Sequence, residues 1–403
     1  MEGMVPAGTD PLAGYFDYNA STPVHPLVVE TLLEELEAHP ASPAAAYPAG
    51  RAAAQVIARA RETIASAIGA RPGGIRFTSG GTESNNWALL GVTRAHERAC
   101  AADGSAPRRH LVVSAIEHKS VLETARELER EGWQVTRVAP RVSGAVHLRD
   151  VQAALREETL LVSVMWANNE TGVVQPVREI ASLCRKRGIL FHTDAVAVLG
   201  KLPVDVGEVE CDLLSLSSHK LYAPKGVGVL YVRAGVAVAP LIHGCGQQDG
   251  LRSGTENTPG VAALARAVGL IAEGACEPRE QALEVLRQHL WFGIAERFPG
   301  AERNGEGGLL PNTLNVAFPG CDAVELQTAL GRRGYSVATG SAGSGGAASH
   351  VLLAMGASPE RARSSLRFSL GAGTTLEGIE ALLSDLEQCA RAAATGARIE
   401  VSG

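Results

Sequence analysis

From Phe16 to about Gly260 the chain alternates short, almost wholly apolar runs with segments of helical periodicity, and few folds accept that pattern. The apolar runs are Ile75 to Thr78, His110 to Ala115, Leu160 to Met165, Ile189 to His192, Leu213 to Ser217 and Gly228 to Val232. Helical patterns such as Val121 to Arg130 and Val177 to Arg187 lie between them. Strands that alternate with helices build a mostly parallel sheet, and strands buried on both faces read as continuous apolar runs. Beyond residue 260 the pattern changes. Val261 to Gly274 and Glu280 to Arg297 are helical, and Thr313 to Phe318 and Ser365 to Leu370 read as strands among further helices. The expected organisation is a large α/β domain over 15–260 and a smaller α+β domain over 261–392, flanked by flexible tails at 1–14 and 393–403 rich in Gly, Ala and Pro. The tract Gly340 to Ala348, almost all Gly, Ala and Ser, reads as a loop, because patterned sequence resumes at Ser349.

Ligand sites in open α/β sheets lie beyond the carboxyl ends of the strands. Two charged residues stand there. The run Asp212 to Ser217 delivers Lys220 into the loop Ser218 to Gly226, and the run from Gly188 ends on Asp194. A third element, Phe77-Thr78-Ser79-Gly80-Gly81-Thr82-Glu83-Ser84-Asn85-Asn86, reads as strand, glycine turn and helix start, with free N–H groups and a dipole suited to a phosphate. It is neither a P-loop nor a dinucleotide fingerprint. Taken singly, a lysine or an aspartate is an ordinary solvated residue. Together they are a lysine for a Schiff base, a carboxylate for a pyridinium nitrogen and a phosphate loop, which is what pyridoxal 5'-phosphate (PLP) asks of its protein.

Composition narrows the partners. Acids outnumber bases by 43 to 37, a net charge of −6, and no Lys/Arg block stands out, which argues for a small-molecule substrate and against nucleic acid or an anionic membrane. The opening residues lack a basic stretch followed by an apolar one, and no apolar segment is long enough to span a bilayer, so a cytoplasmic protein is expected. The seven cysteines, Cys100, Cys184, Cys211, Cys245, Cys276, Cys321 and Cys389, form no C-x-x-C pair. That argues against a disulfide framework and against a structural metal site.

The motifs resemble those of cysteine desulfurases and selenocysteine lyases, PLP enzymes of the aspartate-aminotransferase-like fold type I within the class V aminotransferases. The likeness runs from Tyr15-Phe16-Asp17-Tyr18-Asn19-Ala20-Ser21-Thr22-Pro23 through Ile75 to Asn86, Ser114 to Ser120, Ala167-Asn168-Asn169-Glu170-Thr171-Gly172 and Leu251 to Asn257, ending at Ser365 to Gly371. The resemblance implies Lys220 as the Schiff-base lysine, Asp194 at the pyridine nitrogen, and His118 stacked on the cofactor ring and able to relay protons. It implies a phosphate site of Gly81, Thr82, Ser217 and His219, with Thr255 reaching it across a homodimer interface. Asn169 falls at the cofactor oxygen and the substrate carboxylate, and Arg367 at the carboxylate itself, a planar fork for a planar anion.

The departures are as informative. In desulfurases a mobile loop carries a cysteine whose thiolate takes sulfur from the substrate, and some pass that sulfur to an acceptor protein. Here the loop reads Thr339-Gly340-Ser341-Ala342-Gly343-Ser344, about two residues short, with Gly343 at the position of the nucleophile. Glycine offers no nucleophile. Ala197 stands three residues after Asp194 where the family usually has glutamine, Cys245 stands where glycine is usual, and Tyr47 resembles the early loop of selenocysteine lyases. The expected function is PLP-dependent cleavage of the Cβ–S or Cβ–Se bond of a cysteine-like amino acid without a protein persulfide. A catalytically weakened binding or regulatory subunit and an aminotransferase are the alternatives.

Overall fold

The computed structural model describes residues 12–275, 280–340 and 348–395. Its main sheet has seven strands: β1 (Ile75–Thr78), β2 (His110–Ser114), β3 (Gln134–Val138), β4 (Thr159–Ser163), β5 (Leu190–Asp194), β6 (Leu213–Ser217) and β7 (Gly228–Val232). Their spatial order is β1-β7-β6-β5-β4-β2-β3. Only β7 runs against its neighbours; the pairs among β6, β5, β4, β2 and β3 are parallel. The carboxyl ends of β1, β2, β4, β5 and β6 therefore open on one edge.

Every residue of β2, β4, β6 and β7 is buried, as their apolar sequences require. Helices cover the sheet with one apolar stripe each. The helix Lys119–Arg130 buries Val121, Thr124, Ala125 and Leu128, a spacing of three and four residues, and Val177–Lys186 buries Val177, Ile180, Ala181 and Cys184. Each fully buried Val, Leu or Ile among them contributes roughly 1.5–3 kcal/mol. The polar groups inside the sheet are matched: buried His192 on β5 is bonded to Ser163 Oγ at 2.8 Å and Ser215 Oγ at 3.0 Å, a ladder across β4, β5 and β6 one turn of pleat below Asp194. Burial pushes His192 down to about 3, so it is a neutral link between hydroxyls.

A second sheet, order β10-β9-β8, is antiparallel and consists of β8 (Glu302–Arg303), β9 (Thr313–Ala317) and β10 (Ser365–Ser369). It packs with helices Glu280–Arg297, Ala323–Arg332 and Leu376–Thr395 into a separate core that includes Phe16, Leu290, Leu314, Leu366 and Leu383. The helix Thr258–Ala272 instead lends Val261 and Leu264 to the core of the main sheet. On these cores we propose a division near the end of that helix rather than at residue 260. The last helix runs on to Thr395, past residue 393 where a tail was expected, because an alanine-rich segment suits a helix.

The strap 15–25 joins the two cores. Phe16 N donates to Ser336 O and Tyr18 N to Ser369 O, while Thr22 N and His25 N donate to His219 O and Tyr222 O beside Lys220.

Candidate active site

A cavity of about 650 Å³ opens at the carboxyl edge of the main sheet, between it and β10. Gly81, Thr82, His118, Asn169, Asp194, Ser217, His219, Lys220 and Arg367 all line it, so residues spread over 287 positions (367 − 80) of sequence meet at one place. Thr255 does not line it; it is solvent-exposed on the loop after β7. Gly343 lies outside the described residues. A larger concavity of about 1080 Å³ sits on the second core, but two of its three arginines are already engaged: Arg361 pairs with Glu302, and Arg303 stacks 5.7 Å over Trp291. Convergent unmatched polar groups, not size, single out the smaller cavity.

Lys220 ends the short turn after β6. Its amine donates to the carbonyls of Asn19 and, at 3.0 Å, Ala20, with no carboxylate in hydrogen-bonding contact. Burial, then the charges of Arg367 and Lys201, push it down to about 7, so near neutrality a large share of it is free amine. Asp194, the last residue of β5, is held at both oxygens: Oδ1 accepts from Val196 N at 2.9 Å and Oδ2 from Asn85 Nδ2 at 2.7 Å. His118 caps the helix Lys119–Arg130, its Nδ1 accepting from Ser120 N at 3.1 Å. Although the residue as a whole is solvent-exposed, desolvation by the protein packed around it holds its pKa below the ordinary histidine value, against the pull of Asp194.

The helix Gly81–Asp103 points its N-terminus at the cavity, and no side chain caps it. Gly81 has a specific reason: a Cβ there would come within 2.8 Å of Val196 Cγ2, so any larger residue would have to push that side chain aside for this turn to close on the loop after β5. Burial raises the pKa of Glu83, but the Arg252 fork at 2.9 and 3.1 Å and Ser79 N more than offset it and hold the carboxyl below its ordinary value. Arg367 is 1% exposed on β10. Its Nη2 meets Asp17 Oδ1 at 2.6 Å and its Nη1 donates to Asn169 O at 3.1 Å.

Two buried nitrogens on these walls have no partner, His219 Nδ1 and Arg367 Nε. Together with the uncapped helix start, they fit an anionic, ring-bearing ligand such as PLP, whose phosphate would meet the N–H groups of Gly81 and Thr82 with Ser217 and His219. The fit is thinner at Ala197, which lines the cavity without a donor; Lys201 Nζ, nearby, bonds the Ala197 carbonyl instead. Tyr47, by contrast, is exposed and away from the cavity. Among the described residues, no cluster of His, Cys, Asp and Glu could hold a metal.

Asp17, Asn19, Asn85, Ser120 and His350 also belong to this neighbourhood, and sequence reasoning had not singled them out. Asp17, Asn19, Asn85 and Ser120 fall within quoted motifs, but nothing in their spacing marks a role.

A mostly parallel sheet carrying a lysine, an aspartate and a helix start at one edge defines the fold-type-I class of PLP enzymes. Residues 14–382 match the aminotransferase class-V family model, and the chain belongs to that family of PLP-dependent enzymes. It is 40% identical over 377 residues to the cysteine desulfurase IscS of Clostridium botulinum, covering 92% of this chain and 93% of that one, and 39% identical to that of Dictyoglomus turgidum over 377 residues, covering 93% of each. Among solved structures it is similar to a NifS-like protein (TM-score 0.85, 37% identity, 93% of this chain and 98% of the other). It is also similar to SspA in complex with cysteine (TM-score 0.78, 38% identity, 90% of this chain and 100% of the other).

Proposed function

We propose that this chain is a PLP enzyme of the cysteine desulfurase type that cleaves the Cβ–S or Cβ–Se bond of a cysteine-like amino acid without forming a persulfide on itself. The absence of a protein persulfide is supported by the lining of the cavity: among the described residues, no cysteine reaches it. Cys245 is exposed on the loop 242–248, and Cys100, Cys184, Cys211 and Cys389 are buried elsewhere. The family relatives named cysteine desulfurase, and the one solved with cysteine, support a substrate of this class.

PLP bound here would supply an aldehyde carbon for the Lys220 amine and an electron-withdrawing ring against the substrate Cα. Asp194 would keep that ring's nitrogen protonated, fixed in place by Val196 N and Asn85. The Lys220 amine, whose pKa burial brings down toward neutrality, can hold or release the proton at Cα. Arg367 grips the substrate carboxylate, with Asn169 beside it. With no thiolate at hand, the bond that breaks most readily is the one whose leaving group is the stronger acid, a selenol rather than a thiol.

The same reading makes the molecule a homodimer. Gly254 and Thr255, exposed and outside their own cavity, would reach the partner's phosphate site. The six described cysteines are all free, which suits a reducing, cytoplasmic setting, and no described helix is long and apolar enough to cross a membrane. An external thiol or an acceptor protein would carry off the released sulfur or selenium.

The test is to incubate the purified protein with L-cysteine and L-selenocysteine, follow alanine, pyruvate, sulfide and selenide, and trap persulfide on the wild type and on Cys245→Ser. The expected result is faster turnover of selenocysteine and no protein persulfide. A persulfide on the wild type that vanishes in Cys245→Ser overturns this reading and makes Cys245 the nucleophile.

A further inference from the structure

Four residues from three separate segments, the helix Gly81–Asp103, the start of the helix Lys119–Arg130 and the end of β5, form one chain of hydrogen bonds behind the cavity. Asn85 Nδ2 lies 2.7 Å from Asp194 Oδ2 and 2.9 Å from Ser120 Oγ, and Ser120 Oγ lies 2.7 Å from His118 Nδ1. All but His118 are buried, with Asn85 at 1% exposure.

Donor and acceptor can be assigned along the whole chain. Asp194 Oδ1 accepts from Val196 N, and in the ionised form that its proposed role at a pyridinium nitrogen requires Oδ2 can only accept, so the group facing Oδ2 has to be a donor. The Asn85 amide therefore turns its NH₂ to Asp194; the opposite orientation would set two acceptor oxygens 2.7 Å apart. This orientation leaves Asn85 Oδ1 buried without a partner, a cost the molecule accepts. The second N–H of that NH₂ goes to Ser120 Oγ, which leaves the hydroxyl proton free to point onward. Its onward neighbour is His118 Nδ1, which already accepts from Ser120 N at 3.1 Å and so presents a lone pair.

We infer that Asn85 and Ser120 are positioning residues that read the charge of Asp194 and hold His118 as a neutral imidazole with its proton on Nε2. In this state His118 is a hydrogen-bond donor through Nε2. It gains a second proton only when Ser120 turns its hydroxyl away and the helix cap at Nδ1 is broken. The charged and titratable groups facing His118 are Asp194 on β5, Lys220 after β6, His350 on the helix His350–Ala354, and Glu170 on the loop after β4; desolvation by the surrounding protein and the two basic groups also favour the neutral ring.

The inference rests on the roles proposed for Asp194 and His118, but its test does not need the cofactor to react. The full chain is labelled with ¹⁵N-histidine, and the signal of His118, one of 11 histidines, is assigned by its loss in His118→Asn. Spectra of the cofactor-free and cofactor-loaded protein report which ring nitrogen carries the proton. Wild type should show Nε2 protonated and Nδ1 bare near neutral pH. Ser120→Ala removes a donor that stabilises the neutral ring, so the proton affinity of His118 should rise about fivefold to tenfold, as expected for one lost hydrogen bond. Ser120→Thr should restore it, and Asn85→Ala should shift it in the same direction as Ser120→Ala by a smaller factor. A proton on Nδ1 in the wild type overturns the inference even if no variant folds, and so does a midpoint unmoved in Ser120→Ala. A correct ring state in a protein that fails to bind PLP would leave the hydrogen-bond chain standing and sink the functional reading alone.

Discussion

Arg367 Nη2 lies 2.6 Å from Asp17 Oδ1, an ion pair between residues 350 positions apart that ties the N-terminal strap to β10. Asp17 meets one nitrogen of the fork and Asn169 O another, while Nε is buried and unmatched. The guanidinium is thus pre-oriented by groups that do not saturate it. An incoming α-carboxylate would find a donor already aimed, and binding costs fall when a side chain needs no reordering.

The prediction is that Arg367→Lys keeps the charge but loses the fork. A charge-assisted hydrogen bond contributes about 1.5–3 kcal/mol, so KM for an amino-acid substrate should rise roughly tenfold to a hundredfold, more than kcat falls. The preference for cysteine over cysteamine, which lacks the carboxylate, should shrink by the same factor. An unchanged preference would remove Arg367 from carboxylate binding.

Glu117 predicts a pH dependence. Its side chain is fully buried, with Oε1 accepting from Ser114 Oγ at 2.5 Å and Met165 N at 2.7 Å and Oε2 without a partner. Burial, with a smaller contribution from the Asp194 charge, pushes it up to about 8. In the fold it stays protonated up to that pH, whereas in the unfolded chain it ionises near 4.5. The unfolded state therefore binds fewer protons across this window, and stability falls as pH rises, by at most about 1.4 kcal/mol per unit, levelling off above about 8. Glu117→Gln cannot ionise, so its unfolding free energy should gain on the wild type from about pH 5 to about pH 8. Parallel stability curves for the two proteins would contradict the neutral assignment.

Much of the site was legible because strand ends are legible. Asp194 and Lys220 follow apolar runs with no alternation, which is the mark of a central parallel strand, and the glycine turn before Thr82 announces a helix start. Other elements were not. β3 is an edge strand with only Val138 buried, so Gln134, Thr136 and Arg137 read as surface. The helices Pro26–Ala38 and Pro48–Ala67 begin at prolines that look like loop punctuation until each is seen to stand at the first helical position. Asp17, Asn85 and Ser120 stayed silent for a different reason. They are short polar residues whose meaning lies in partners such as Arg367 and Asp194, 350 and 109 positions away, and no local pattern encodes a contact of that range.

The central claim is that Lys220, of all lysines in the chain, carries the cofactor. Lys201 is the sharpest competitor: its amine is also buried and is pushed down to about 8, but it donates to the Ala197 carbonyl, whereas Lys220 opens on the cavity beside Asp194 and Arg367. Borohydride reduction of the PLP-loaded protein, followed by peptide mapping, fixes the cofactor to the lysine that holds it. The account predicts a pyridoxyl label on Lys220 alone; a label on Lys201 or any other lysine, or no label at all, would contradict it.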